Sequence, residues 1–201
     1  MTIRNNAALL FLALIAQIGL TINPAFGHRF NVALVIPQSN ATAEQGRQIR
    51  NGFMLATTER DSHPDQESDG HLGGLDVYVT VIDEQGDITA DIGRIAEQGE
   101  TDIVAAFGSE KMLTLIATIL DGKNVALLLP DHSPFSKSDL PAVAAFGSAF
   151  EREYGGAPSS YAAQGYNAAR RIDMAVRAQG GVEDRASLLR VFSQTARSFS
   201  W

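Results

Sequence analysis

Four short hydrophobic runs alternate with segments of helical periodicity after the first thirty residues of the chain. The runs lie at residues 30–36, 75–82, 102–107 and 125–129. They are almost continuously apolar and do not alternate with polar residues, which is typical of strands that are covered on both faces in a parallel sheet. We therefore predict four buried β-strands.

The segments between these runs repeat their apolar residues every three or four positions, as amphipathic helices do. The first helix is predicted to begin at a capping box of Thr42 and Gln45 and to run to about Glu59. The second is predicted to start at Asp87, and the third to stop at Gly122. The order β-α-β-α-β-α-β implies right-handed crossovers and a doubly wound, mainly parallel open sheet, which is a single Rossmann-like α/β lobe.

Two regions depart from this alternation. Residues 61–74 are polar and rich in turn formers, so we predict an exposed loop there. After the fourth run, three further helical segments follow, at residues 143–154, 161–175 and from 188 to near Trp201. The first two are closed by glycine pairs, which commonly end helices. We therefore predict extra C-terminal helices on the lobe.

The first 27 residues are predicted to be a cleavable secretion signal. Arg4 is the sole charge there, an apolar run follows at residues 7–20, and Ala25 and Gly27 fit the small-residue cleavage rule. The run is shorter than the ~20 residues that a membrane span needs. We therefore predict a periplasmic chain with a signal peptide at 1–27 and one lobe at 28–201, not embedded in the membrane after cleavage.

Composition and motifs narrow the function classes. The chain has 23 acidic and 16 basic residues and a net charge of −7, so nucleic acid is not a predicted partner. It has no cysteine, which excludes disulfides and thiolate chemistry. The nucleophile-elbow, zinc-protease, P-loop and dinucleotide-binding motifs are absent, so we predict no enzyme, no cofactor and no metal site. The four histidines are scattered and predicted to lie at the surface: His28, His63, His71 and His132.

A ligand site is predicted from topology alone. In open α/β sheets, ligands bind beyond the carboxyl ends of the strands, and the helix N-termini there suit a carboxylate. Polar loops follow each of the four predicted strands. The alternative is that the same residues only cap helices and form turns. The candidate ligand-binding residues are Gln38, Ser39, Asn40, Asp83, Ser109, Glu110, Asp131 and Ser133.

Two segments resemble a known family. Residues 30–52, with a strand, the Pro37-x-Ser39 loop and a helix with spaced glycines, resemble the opening of type I periplasmic binding proteins of the branched-chain amino acid class. Residues 150–181 are similar to that family's late segment, with Pro158-Ser159 and Gly165-Tyr166 in place. These proteins are the solute receptors of ABC transporters and have two lobes. Here residues 130–133 lead almost directly into the late helices, which predicts a short form without the second lobe.

The resemblance implies a periplasmic solute-binding protein associated with ABC transport of amino acids or related small polar solutes. It also implies ligand contacts near Ser39, Ser109 and Ser133, and a transporter permease or another periplasmic protein as partner. The alternative is an interaction or sensory module that binds a protein partner or forms a homodimer, without a solute. Two features motivate this alternative: the missing second lobe, and the charged pair Glu110-Lys111 where the family has small hydroxyl residues.

Overall fold

The computed structural model describes residues 29–59, 61, 67–129 and 141–195, and the side chains of residues 144–195 in the last of these ranges. The predicted signal peptide, three of the histidines (His28, His63 and His132) and the candidate site residues Asp131 and Ser133 lie outside the described residues.

The predicted strands and helices are all present. The strands are β1 (Arg29–Ile36), β2 (His71–Leu72), β3 (Leu75–Asp83), β4 (Ile103–Ala106) and β5 (Ala126–Leu128). The helices are α1 (Ala43–Thr58), α2 (Ile88–Gln98), α3 (Glu110–Leu120), α4 (Pro141–Tyr154), α5 (Ser160–Gln179) and α6 (Arg185–Thr195), with a 3₁₀ turn at Asn40–Thr42 before α1. The strand β2 is an addition to the predicted set.

The five strands form one sheet in the order β2-β3-β1-β4-β5. All neighbours are parallel except the pair β2 and β3. The chain passes from β1 to β3 on one side and then crosses to β4 on the other side of β1. The predicted doubly wound sheet is therefore confirmed, and the direction of winding reverses between β1 and β4, which is where such sheets bind ligands.

Helices cover both faces of the sheet and make two cores. On one face, α1, α5 and α6 pack over β1, with Phe30, Phe53 and Ile172 at most 1% exposed. On the other face, α2 and α3 contribute Ile92 and Ile116, which have no exposed area. Burying each such side chain stabilises the fold by about 1.5–3 kcal/mol, which explains why the strands are apolar on both sides.

Two glycines let α1 and α5 approach backbone to backbone. A Cβ on Gly165 would lie 1.9 Å from the carbonyl oxygen of Ile49, and a Cβ on Gly52 would lie 1.9 Å from that of Ala162. Any larger residue would push the helices apart. The start of α5 is held there as well, because Gln48 Oε1 accepts hydrogen bonds from the Ser159 N–H and hydroxyl, each at 3.2 Å.

The predicted exposed loop at 61–74 is wrong at its end, because the chain there forms the hairpin β2–β3. Gly73 and Gly74 make the two-residue turn with φ of +67° and +87°, the conformation that such hairpin turns require. Leu72 is 1% exposed, since it joins the core beneath α5.

Two further sequence predictions need correction. His71 is not a surface histidine: its ring nitrogens lie 2.9 Å from Asp61 Oδ1 and from Asp76 Oδ1, and its side chain is 15% exposed. The capping box of Thr42 and Gln45 is also absent, since Thr42 makes no side-chain cap bond. Its hydroxyl accepts a hydrogen bond from Gln85 Nε2 at 3.1 Å, so a contact from the β3 loop replaces the local cap.

No helix within the described ranges has both the length and the apolar character needed to cross a membrane.

Candidate functional site

Three of the four predicted rim loops meet at one edge of the sheet. The last pairs of the parallel ladders are Ile36 with Asp83 and Val35 with Ala106, so β1, β3 and β4 end side by side. The chain just beyond each strand is held by its neighbour, as in the hydrogen bond from the Glu84 N–H to the Ile36 carbonyl at 3.0 Å. The fourth loop, with Asp131 and Ser133, lies outside the described residues.

The candidates after β1 and β3 bind one another. Asp83 Oδ1 accepts hydrogen bonds from the backbone N–H groups of Gln85 and Gln38, both at 3.1 Å. The Gln85 bond, followed by those from Gln38 and Ser39, holds the pKa of Asp83 below its usual value against the opposing effect of burial. The Ser39 hydroxyl lies 3.2 Å from Gln85 Oε1, to which the Asn40 amide also donates. These four candidates therefore tie the two loops together.

The two candidates after β4 belong to the start of α3. The Ser109 Oγ accepts from the Met112 N–H at 3.4 Å and caps the helix. Glu110 is the first helical residue and is exposed. The capping alternative therefore describes Ser109 correctly, but Ser109 also lines a cleft that opens beside it.

This cleft lies at the carboxyl ends of β1 and β4 and has a volume of about 310 Å³. Three buried apolar residues form part of its wall: Pro37, Ile49 and Phe107. Gly108 and five polar residues complete the lining: Gln45, Glu84, Ser109, Tyr161 and Gln164. Polar residues outnumber the apolar ones in this lining, which suits a small polar molecule, and the volume is at the lower end of the range usual for small-molecule sites.

Glu84 is a member of this lining that the sequence-based site list omits. A Cβ on Gly108 would lie 2.2 Å from Glu84 Oε2 and 2.2 Å from Met112 Cε, so the absence of a side chain at Gly108 makes room for the carboxylate. Burial, followed by the charge of Asp83, raises the pKa of Glu84 above its usual value. The signal that would have found it is its position, because Glu84 directly follows the candidate Asp83 in the polar loop after the strand.

Tyr161 and Gln164 reach the cleft from a distant part of the sequence. They lie in the first turns of α5, more than a hundred residues after the loop that follows β1. The close approach at Gly165 and the Gln48–Ser159 hydrogen bonds place this end of α5 over the sheet edge. No local sequence signal marks them, since they read as ordinary residues on one face of a helix.

The chemistry of the cleft is that of hydrogen bonding and charge. Among the residues that the structure describes, no group of three or more His, Asp or Glu side chains is arranged to hold a metal ion. Two amide side chains, a serine hydroxyl, a phenol and one carboxylate face a common space. This arrangement can bind and orient a small polar molecule.

Comparison with models of protein families gives no match. Comparison with curated proteins by sequence gives no significant match either.

Several solved structures share this fold at 9–14% sequence identity. The leucine-binding protein LivK of Thermotoga maritima superposes with a TM-score of 0.66 at 10% identity, over 83% of this chain and 87% of that one. A solute-binding protein of an ABC transporter from Rhodopseudomonas palustris, in complex with 3,4-dihydroxybenzoic acid, gives 0.59 at 12% identity, over 82% and 85%.

The branched-chain amino acid transporter substrate-binding protein LivJ of Streptococcus pneumoniae, in complex with isoleucine, gives a TM-score of 0.55 at 10% identity, over 83% of this chain and 88% of that one. LivK is named as a leucine-binding protein and the other two as solute-binding or substrate-binding proteins of transporters, and the solutes named for them differ in chemistry. The resemblance seen in the sequence is therefore confirmed in three dimensions, and the chain has the fold of the type I periplasmic binding proteins.

Proposed function

We propose that this chain is a periplasmic solute-binding protein that takes a small polar solute into the cleft beyond β1 and β4 and serves an ABC transporter. The supporting observation is the position of the cleft. It opens where the winding of the sheet reverses, and polar side chains from two loops and two helices converge on it. Converging polar side chains of this kind fix the orientation of a small ligand.

The proposed solute class includes amino acids and related small polar molecules. The structural neighbours are named as receptors for leucine and as complexes with isoleucine or 3,4-dihydroxybenzoic acid, so the fold accepts solutes of this size. In the proposed short form a single lobe holds the solute. A solute held by one lobe keeps part of its surface in water, so we expect weaker binding than in a closed two-lobed receptor.

The test is titration calorimetry of the purified chain against pools of amino acids, small carboxylates, amides and amines. We expect saturable heat with at least one pool and loss of that heat in Gln164→Ala, because Gln164 lines the cleft. The matched control is Gln98→Ala, an exposed glutamine at the C-terminal end of α2, which should bind as the unchanged protein does. Thermal unfolding supports the same test, since a ligand at 100 times its Kd stabilises the fold by about 2.7 kcal/mol.

A folded protein that gives no saturable heat with any pool would overturn the proposal. The interaction module would then take its place, and its sign would be a dimer mass in sedimentation or a protein captured from periplasmic extract.

A further inference from the structure

The cleft carries a single formal charge among the described residues that line it, and this charge is negative. Glu84 supplies it, while the other polar members of the lining are neutral: Gln45, Ser109, Tyr161 and Gln164. No lysine, arginine or histidine of the described chain is part of the lining. The described residues also provide no hydrogen-bond donor or ion-pair partner for the Glu84 side chain.

The fold holds this carboxylate in place. The backbone of Glu84 is tied to β1 by its N–H bond to the Ile36 carbonyl at 3.0 Å. Its side chain lies over Gly108, in space that a Cβ there would fill. The carboxylate is also partly removed from water, and burial together with the neighbouring Asp83 raises its pKa. A partly desolvated carboxylate that has no cationic partner among the described residues is unfavourable, and a positively charged ligand relieves that cost.

The neutral polar groups around Glu84 can bind the same ligand chemistry. The side-chain carbonyls of Gln45 and Gln164 can accept hydrogen bonds from an ammonium or guanidinium group. The ring of Tyr161 lies in the lining and is 36% exposed, so a cation can rest on its face.

An anion is poorly served by the same cleft. The helix N-terminus beside it, at α3, already has one N–H bound by the Ser109 hydroxyl. Its first turn carries the carboxylate of Glu110, which occupies the favourable end of the helix dipole with a negative charge. A carboxylate solute would therefore meet the acidic side chain of Glu84 in the cleft, beside a helix terminus that is already capped and carries Glu110.

From these contacts we infer that the cleft takes a cationic solute, an amine or guanidinium compound, with Glu84 as its counter-ion. This inference rests on the proposed solute-binding function and names the class of solute.

The experiment uses three probes with four-carbon chains, 1,4-diaminobutane, succinate and succinamide, which are cationic, anionic and neutral. We expect calorimetry on the full chain at pH 7 to give saturable binding with the diamine alone. Glu84→Gln should weaken that binding at least about tenfold, since a hydrogen bond to a charged group is lost. The matched control is Glu97→Gln, an exposed glutamate on α2, which should leave the affinity unchanged.

A pH series separates counter-ion binding from a structural effect of the substitution. Diamine affinity should fall as the pH is lowered through the raised pKa of Glu84, and the Glu84→Gln protein should lack this dependence. A cooperative thermal transition of each protein without probe shows that both are folded.

The opposite results are distinguishable. Saturable binding of succinate or succinamide that is lost in Gln164→Ala, with no binding of the diamine, would overturn the cationic solute and leave the solute-binding function standing. Binding of the diamine with equal affinity to Glu84→Gln would overturn the role of Glu84. If none of these probes and none of the solute pools binds a folded protein, both proposals fail.

Discussion

At the scale of single residues, Asp173 is a buried carboxylate that joins two distant parts of the fold. Its Oδ1 accepts a hydrogen bond from the Gly73 N–H at 2.8 Å and one from Arg177 at 2.9 Å. Burial alone would raise its pKa, but these bonds, with the charges of Arg177 and Arg170, together lower the pKa below its usual value. The carboxylate thus fastens the turn of the β2–β3 hairpin to α5.

Asp173→Asn should lower the free energy of unfolding at pH 7 by about 1–3 kcal/mol, because a charged acceptor of a buried N–H is lost. The pH dependence has a definite sign. The folded pKa lies below the unfolded value near 3.8, so the stabilisation is complete above that value and is lost as the pH falls through the folded pKa. Urea unfolding at a series of pH values measures both effects.

The control for this prediction is Asp91→Asn, which removes a partly exposed carboxylate that pairs with Arg94 at 2.9 Å. Such helix-surface pairs contribute less than about 0.5 kcal/mol. Equal losses in the two variants, or a difference for Asp173→Asn that does not change with pH, would contradict the assignment.

At the scale of elements, the contact between α1 and α5 depends on the absence of side chains. Gly165→Ala should reduce the free energy of unfolding by at least about 1 kcal/mol, because overpacking against the Ile49 carbonyl outweighs the better helix propensity of alanine. It should also weaken solute binding, since α5 carries Tyr161 and Gln164. Chemical unfolding and calorimetry measure the two losses.

Gly93→Ala in α2 is the matched control, for which we expect a gain in stability instead of a loss. A Cβ on Gly93 meets no atom within 4 Å, so the variant should gain about 0.5–1 kcal/mol of stability and bind solute normally. An equal loss of stability in Gly93→Ala and Gly165→Ala would contradict the claim that the close approach of α1 and α5 causes the loss at Gly165.

The strands and helices could be predicted because their signals are local. Apolar runs and helical spacing identified every large element, and Asp87 and Ser109 cap α2 and α3 through their own side chains. The strand β2 was missed because two residues in a polar segment make no periodic pattern, and what pairs them is a glycine turn. The Thr42 cap is absent because Thr42 ends a 3₁₀ turn with φ of −100° and ψ of −1°, whereas a capping residue typically has an extended backbone.

The sequence predicted where the site lies, at the carboxyl ends of the strands, but not which residues line it. Strand ends mark the rim, and three candidate loops do meet there. Within those loops, however, Asp83 and Ser39 bind neighbouring loop residues, which no spacing reveals. Gln164 reaches the cleft only because α5 packs against α1, and these two helices are more than a hundred residues apart in sequence.

At the scale of the whole molecule, export is the prediction that the sequence supports most directly. When the chain is expressed with its own first 27 residues in a Gram-negative host, we expect a periplasmic protein that begins at His28. Intact-mass spectrometry and N-terminal sequencing of the periplasmic fraction measure this. Replacing both Ala25 and Gly27 by leucine should block the cleavage, while a membrane-bound, uncleaved form of the unchanged chain would contradict it.

The pairing of α1 with α5 also sets an order of events during synthesis. The hydrogen bond between Gln48 and Ser159 can form only after a further 111 residues have been synthesised. At synthesis rates of about 5–20 residues per second, the apolar side of α1 stays uncovered for about 5–20 s after it is made. The core that α1 and α5 form over β1 therefore cannot be completed while the N-terminal half of the chain is emerging from the ribosome. For a chain that is exported before it folds, this delay keeps the polypeptide unfolded for translocation.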